Sequence, residues 1–172
     1  EYWGKGIGRK YTVSSGSGKE IQVCPTFGEN LRFFFRYQTG FMYLRYFMWN
    51  FAGRQNDIQG HGGVSKGNWI TGITFFDELR LGPQEYMPNQ RQAPGTNNKY
   101  YLLPLLLGCL GILFSFNKSK QIFTLIALLF FFTGIAIVIY LNQTPYQPRE
   151  RDYAYAGSFY AYAIWIGLGV LS

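Results

Sequence analysis

Four consecutive charged residues, Arg149, Glu150, Arg151 and Asp152, lie in the stretch QTPYQPRERDYAYAG between two strongly apolar runs. A charged side chain in hydrocarbon costs roughly 2.5–3.5 kcal/mol on insertion scales, so this group belongs at a membrane boundary or in a wet cavity. Pro145 and Pro148 stiffen the approach. In an extended segment Arg149 and Arg151 share one side, and Glu150 and Asp152 share the other. Two guanidiniums side by side suit bidentate binding of a phosphate or pyrophosphate. The carboxylates, with Tyr153 beside them, can hold the arginines, bind sugar hydroxyls or bind a divalent cation. The plainer alternative is that the arginines are snorkelling anchors neutralised by their neighbours.

A second group follows the aromatic stretch Asn30 to Phe51: Arg54 and Asp57 in NFAGRQND, then His61 in QGHGG. Arg54 and Asp57 form either a site at headgroup level or a helix-end ion pair, which is worth little at a surface. His61 is the sole histidine, and Gly60, Gly62 and Gly63 remove the helical spacing that would pair it with Asp57 on a metal. A turn residue or a substrate contact is the better reading. GKGIGR and GSGKE resemble phosphate loops, but Val13 and Glu20 occupy required positions of the P-loop pattern, so both read as turns. Cys24 and Cys109 fall in segments of opposite character, with no CxxC spacing, and imply neither a disulfide nor a redox centre.

The elements that must position these residues are apolar helices. Aromatic residues make up 20% of the 172 and charged residues only 15%, an unusual balance for a soluble domain. Three runs predict spanning helices at about 100–117, 122–141 and 153–172. Spanning segments must satisfy their own backbone groups, so each is expected to be helical. The loop NKSK, with Lys118 and Lys120, carries uncompensated positive charge and is expected on the cytoplasmic side. Residues 1–99 and 142–152 then share the opposite face, which is periplasmic in a bacterium. The net charge of +7 fits anionic lipid headgroups, and the apolar runs favour these over nucleic acid.

Residues 1–99 form the extracytoplasmic part and 100–172 the membrane part. Tyr11 to Val23 predicts a small hairpin. Residues 30–51 predict an interfacial aromatic helix, with Phe34, Tyr37, Phe41, Leu44, Met48 and Phe51 on its apolar face at 100° per residue. Arg32, Arg36, Thr39, Tyr43 and Asn50 fall on a polar stripe; the alternative is a helix buried in a core. A short helix is expected around 75–81 within a loop-rich segment. The chain begins at Glu1 and stops inside an apolar run, which reads as an internal piece of a longer protein.

The phrases PTFGENLRFFFRYQTGFMYLRYFMWNFAGRQNDIQGHGG, NWITGITFFDELRLG, NNKYYLLPLLLG and YLNQTPYQPRERDYAYAGSFYAYAIWIGLGV resemble the middle of the large DUF2723 membrane proteins of Bacteroidetes. The resemblance runs over nearly the whole chain, in order. It implies a polytopic α-helical protein similar to GT-C glycosyltransferases and protein O-mannosyltransferases. Such enzymes transfer a sugar from a polyprenyl-phosphate carrier to a protein or glycan acceptor on the non-cytoplasmic face. The family's acidic catalytic residue is expected upstream of this segment, so no catalytic base is assigned here. Trp3, Trp49 and Trp69 are candidate sugar-stacking rings. The rival functions are a non-catalytic scaffold for envelope assembly and a lipid or glycan transporter. Transport calls for ionisable groups within the spans, and residues 122–141 contain none.

Overall fold

The computed structural model describes residues 8–15, 18–60, 63–83, 86, 95–144 and 151–172. Most of them are helical. A two-stranded antiparallel hairpin opens the chain, β1 (Arg9–Ser15) and β2 (Gly18–Cys24), with Arg9 opposite Cys24 and Ser15 opposite Gly18. Thr26 caps the next helix through a reciprocal box: it accepts from the Glu29 amide at 3.4 Å, while Glu29 accepts from the Thr26 amide at 2.6 Å. That box starts α1 (Phe27–Phe33), which runs without a break into a π-helical segment (Phe34–Leu44) and then α2 (Arg45–Phe51).

The π segment overturns the expected helical phase. Bonds from i to i+5 place extra residues in each turn, so the face advances less per residue than in an α-helix. The Arg45 amide, for example, reaches the Gly40 carbonyl. As a result Tyr37, Met42, Tyr43, Tyr46, Phe47 and Phe51 point inward, Leu44 is exposed, and Arg45 is only 4% exposed. Tyr43, expected on the polar stripe, is 1% exposed. The helix does not lie loosely on a surface; its inner face packs against the C-terminal helices.

Those helices are α4 (Leu103–Lys118), α5 (Lys120–Thr133), α6 (Ile135–Leu141) and α7 (Ala156–Val170). Tyr101 and Leu102 take left-handed backbone angles, so α4 begins three residues after Tyr100. Its 16 residues extend about 24 Å at 1.5 Å per residue. Ser119 makes the tight reversal into α5, capping the Ile122 amide. Residues 120–141 form an apolar stretch, bent at Gly134, that is long enough to cross a membrane, with only 17% of its apolar window buried. Leu125, Leu128, Phe131, Phe132 and Ile139 face outward on it. A helix from a soluble core would hide such residues.

Phe47 is the hub where the two halves meet. Its ring lies 4.8 Å from both Phe51 and Tyr162 and 6.0 Å from Phe130, edge-on to the latter two. Each such pair contributes about 0.5–1.5 kcal/mol beyond area burial. Farther along, the Gln38 amide donates to the Asn142 side chain at 2.8 Å and to the Gln143 carbonyl at 3.1 Å. Tyr37 donates to the Thr144 carbonyl at 3.3 Å. These bonds tie the aromatic helix to the end of α6.

Candidate functional site

The site is built on a polar loop that follows α2. Gly53 and Arg54 (β3) pair with Asn98 and Lys99 (β4), and Arg54 also bridges to Trp69. Buried Gln55 and Asn56 stitch the loop together. Asn56 accepts from the Gly67 amide at 2.8 Å and donates to the Ser65 carbonyl at 3.2 Å. Gln55 donates to the Val64 carbonyl at 3.1 Å and accepts from the Asn68 amide group at 3.1 Å. Gly67 sits at φ +59°, and a Cβ there would meet the Ile58 carbonyl at 2.7 Å and the Arg45 guanidinium at 2.9 Å. Glycine is thus required twice over, for the turn and for the approach of Arg45.

Arg45 is the buried end of the site. It donates to the Phe41 carbonyl at 3.1 Å and the Gly67 carbonyl at 3.0 Å. Its guanidinium also lies over the rings of Phe41, Tyr46 and Trp49, at 4.2, 4.4 and 5.0 Å. Ring faces and carbonyl oxygens compensate part of the desolvation of the charge but leave the cation positive. On the far wall, α3 (Thr74–Leu81) presents Arg80, stacked 3.7 Å from the Trp69 ring and donating to the Trp69 carbonyl. Trp69 covers one face of this guanidinium, and the rest stays open to solvent. That partial burial draws Arg80 below its ordinary value, with Asp77 pulling the other way; arginine remains a cation regardless.

Arg36, Arg45 and Arg80 converge on one open cleft of about 300 Å³, floored by Gly40 and Phe41 and walled by Asn68 and Trp69. Among the described residues none that lines it is acidic. Arg36 and Arg80 are the exposed arginines of this lining and suit an oxyanion as planar donors, while Arg45, bonded to the Phe41 and Gly67 carbonyls, adds a buried positive charge behind them. A second, smaller polar cleft of about 140 Å³ is bordered by Ile70, Gly72, Asp77, Glu78, Asn97 and Lys99. The Asp77 carboxylate is occupied there: it accepts from the Thr71 amide at 2.7 Å, the Thr71 hydroxyl at 3.0 Å and the Gly72 amide at 2.8 Å. It braces α3 rather than facing a ligand.

Of the expected site residues, Arg54, Asp57, Arg151, Asp152 and Tyr153 are described, and none of these lines the arginine cleft. Arg54 donates to the Thr96 carbonyl at 3.0 Å and lies 5.4 Å over Trp49. Its guanidinium is turned to those groups rather than to Asp57, which is exposed, so the expected helix-end pair is replaced by a loop clamp. Arg151 is half-buried near Tyr155, and Asp152 accepts from the Tyr153 amide at 3.0 Å to open a 3₁₀ turn (Asp152–Tyr155). Tyr153 is exposed. Arg149, Glu150 and His61 lie outside the described residues, as does Trp3, so the Arg149–Arg151 fork is not visible. Arg45 lies over the Trp49 ring and Arg80 over the Trp69 ring. Among the described residues no three His, Cys, Asp or Glu side chains converge on a metal position. Cys24 and Cys109 are both free. The arginine cleft was missed because its members come from three elements; one signal was available, since Phe41 and Trp49 flank Arg45 at four residues on either side, the spacing at which helical side chains meet.

The chain matches no family model, no curated protein and no solved structure.

Proposed function

We propose that the chain is part of a GT-C-like membrane glycosyltransferase of the DUF2723 type, which uses a polyprenyl-phosphate-linked sugar on the periplasmic face of the bacterial inner membrane. In this reading α4, the 120–141 helix and α7 are three spans, and residues 1–99 and 142–152 lie outside them. One observation carries the proposal: Arg36, Arg45 and Arg80 line a single cleft beside the aromatic helix that packs on those spans. A departing lipid phosphate gains negative charge, and pre-placed guanidiniums stabilise it without reorganising. Arg151, half-buried just before the 3₁₀ turn that leads into α7, is a further candidate cation in this reading. A divalent cation, if used, would be held by groups such as Glu150.

The scaffold reading has its own support, because Arg45 is engaged by carbonyls and rings as a structural post would be. The two part on turnover. Membranes containing the intact protein, given a radiolabelled sugar on undecaprenyl phosphate, should transfer label to an acceptor or release it to water. Transfer should fall with Arg36→Lys at unchanged protein level, since lysine keeps the charge and loses the fork. No transfer from any polyprenyl-phosphate sugar supplied would favour the scaffold.

A further inference from the structure

Helix α3 is inverted relative to a helix on a soluble domain. At 100° per residue, Phe75, Leu79 and Phe76 fall on one arc and Asp77 on the opposite side. The apolar arc points outward: Phe75 is 72% exposed, Phe76 54% and Leu79 80%, while Asp77 is 6% exposed. The carboxylate is turned in to brace the 71–72 turn, and Glu78 faces the small polar cleft. A contiguous apolar face of this kind marks an interaction surface.

Two observations say what covers it. First, the turn that feeds α3 abuts the start of α4. A Cβ on Gly72 would lie 3.0 Å from Lys99 Cβ and 3.3 Å from the Tyr101 ring. Tyr100 and Tyr101, both exposed, sit directly before the outward-facing Leu103, Leu106 and Leu110 of α4. Tyrosines at the mouth of an apolar helix mark the headgroup level. Second, the border of the face next to Phe76 is cationic: Arg80 follows Leu79 on α3, while Glu78, on the other border, lines the small polar cleft together with Lys99. Rings and a leucine beside an arginine, next to tyrosines at the mouth of an apolar helix, match an anionic bilayer surface.

We infer that α3 is a membrane-surface anchor, its Phe75–Phe76–Leu79 face seated at the headgroup–acyl boundary of an anionic bilayer so that Arg80 and its cleft sit at phosphate depth. This rests on the proposed membrane reading, in which α4 spans. The anchor adds a reason for the inverted pattern: the apolar residues grip lipid, and Asp77 fixes the angle at which the helix leaves Gly72.

The test is spin-label accessibility in nanodiscs of phosphatidylethanolamine and phosphatidylglycerol, using the intact protein with Cys24→Ser and Cys109→Ser. Leu79→Cys and, as an independent reporter, Phe75→Cys carry the label; Asp57→Cys is the aqueous reference and Leu125→Cys the lipid reference. The expected result is preferential collision with oxygen over a water-soluble nickel chelate at 79 and 75, at a depth of about 5–10 Å. A water-like ratio at both sites, equal to that at 57, overturns the anchor. Protection from both quenchers also overturns it, because protein then covers the face. Lipid-like behaviour at 125 together with either of those results sinks the anchor alone, whereas a water-like ratio at 125 sinks the membrane reading beneath it.

Discussion

Gly111 and Gly169 let the backbones of α4 and α7 touch: the Trp165 carbonyl oxygen occupies the place where a Gly111 side chain would begin, and the Leu107 carbonyl does the same at Gly169. Gly108 meets the Tyr162 ring in the same way, and Tyr162 donates to the Leu105 carbonyl at 2.7 Å. Small residues that admit a neighbouring backbone are how helices associate where there is no water to expel. The α4–α7 pair meets the aromatic helix through Tyr162, whose ring lies 4.8 Å from Phe47 and 4.6 Å from Phe51.

Gly169→Ala should therefore destabilise the protein by roughly 1–3 kcal/mol, the usual cost of overpacking. Gly167 provides an internal control on the same helix, since a Cβ there meets nothing within 4 Å. Gly167→Ala should be neutral or slightly stabilising. Thermal unfolding of the two variants in detergent compares them directly; equal midpoints would contradict the close contact.

Asp77→Ala removes the acceptor for two amides and one hydroxyl. Each buried donor left unpaired costs about 1–3 kcal/mol. The 69–81 unit should loosen while the helices stay intact. Faster proteolysis within residues 69–82 at an unchanged overall melting temperature is the expected signature.

The capping box gives a pH dependence with a definite sign. Bonds from the Thr26 amide and hydroxyl, then from the Gly8 amide, hold the Glu29 carboxyl below the ordinary glutamate range. A depressed folded value means that this stabilisation is complete above the unfolded value and is lost as pH falls through the folded one. The first turn of α1 should fray only in acid below the ordinary glutamate range. Amide exchange at Glu29 and Asn30 reads it, and Glu29→Gln should flatten the response.

Gln38→Leu cuts the bonds to Asn142 and the Gln143 carbonyl. The buried Gln143 carbonyl loses its donor at a cost of about 1–3 kcal/mol, whereas the oxygen of exposed Asn142 turns to water. The link between the aromatic helix and the end of α6 should weaken, and labelling of Thr144→Cys, an exposed position that leaves both Gln38 acceptors in place, should speed up relative to the same reporter on the parent sequence.

The elements legible in the sequence were those fixed by local pattern. The uncharged run 122–141, the turn-rich hairpin and the short helix near 75–81 all follow from neighbours a few positions apart. The phase of residues 34–44 did not, because an α-helical period assigns Leu44 inward and Tyr43 outward, the reverse of what the π turns produce. The cleft was hidden for a related reason. Arg36, Arg45 and Arg80 are brought together by a loop whose shape depends on Gln55, Asn56 and the left-handed turn at Gly67. The PRERD cluster drew attention as a local charge pattern, whereas the visible convergence of arginines is a tertiary one.

The most direct test of the central claim is binding of dodecyl phosphate to the intact protein in detergent, followed by calorimetry at several salt concentrations. Charge-assisted bonds contribute about 1.5–3 kcal/mol each, and 1.4 kcal/mol is tenfold. Arg36→Gln with Arg80→Gln should thus weaken binding about a hundredfold or more, and wild-type affinity should fall as salt rises. Undiminished binding by the double variant, folded and with Arg45 intact, would show that the cleft does not grip the phosphate.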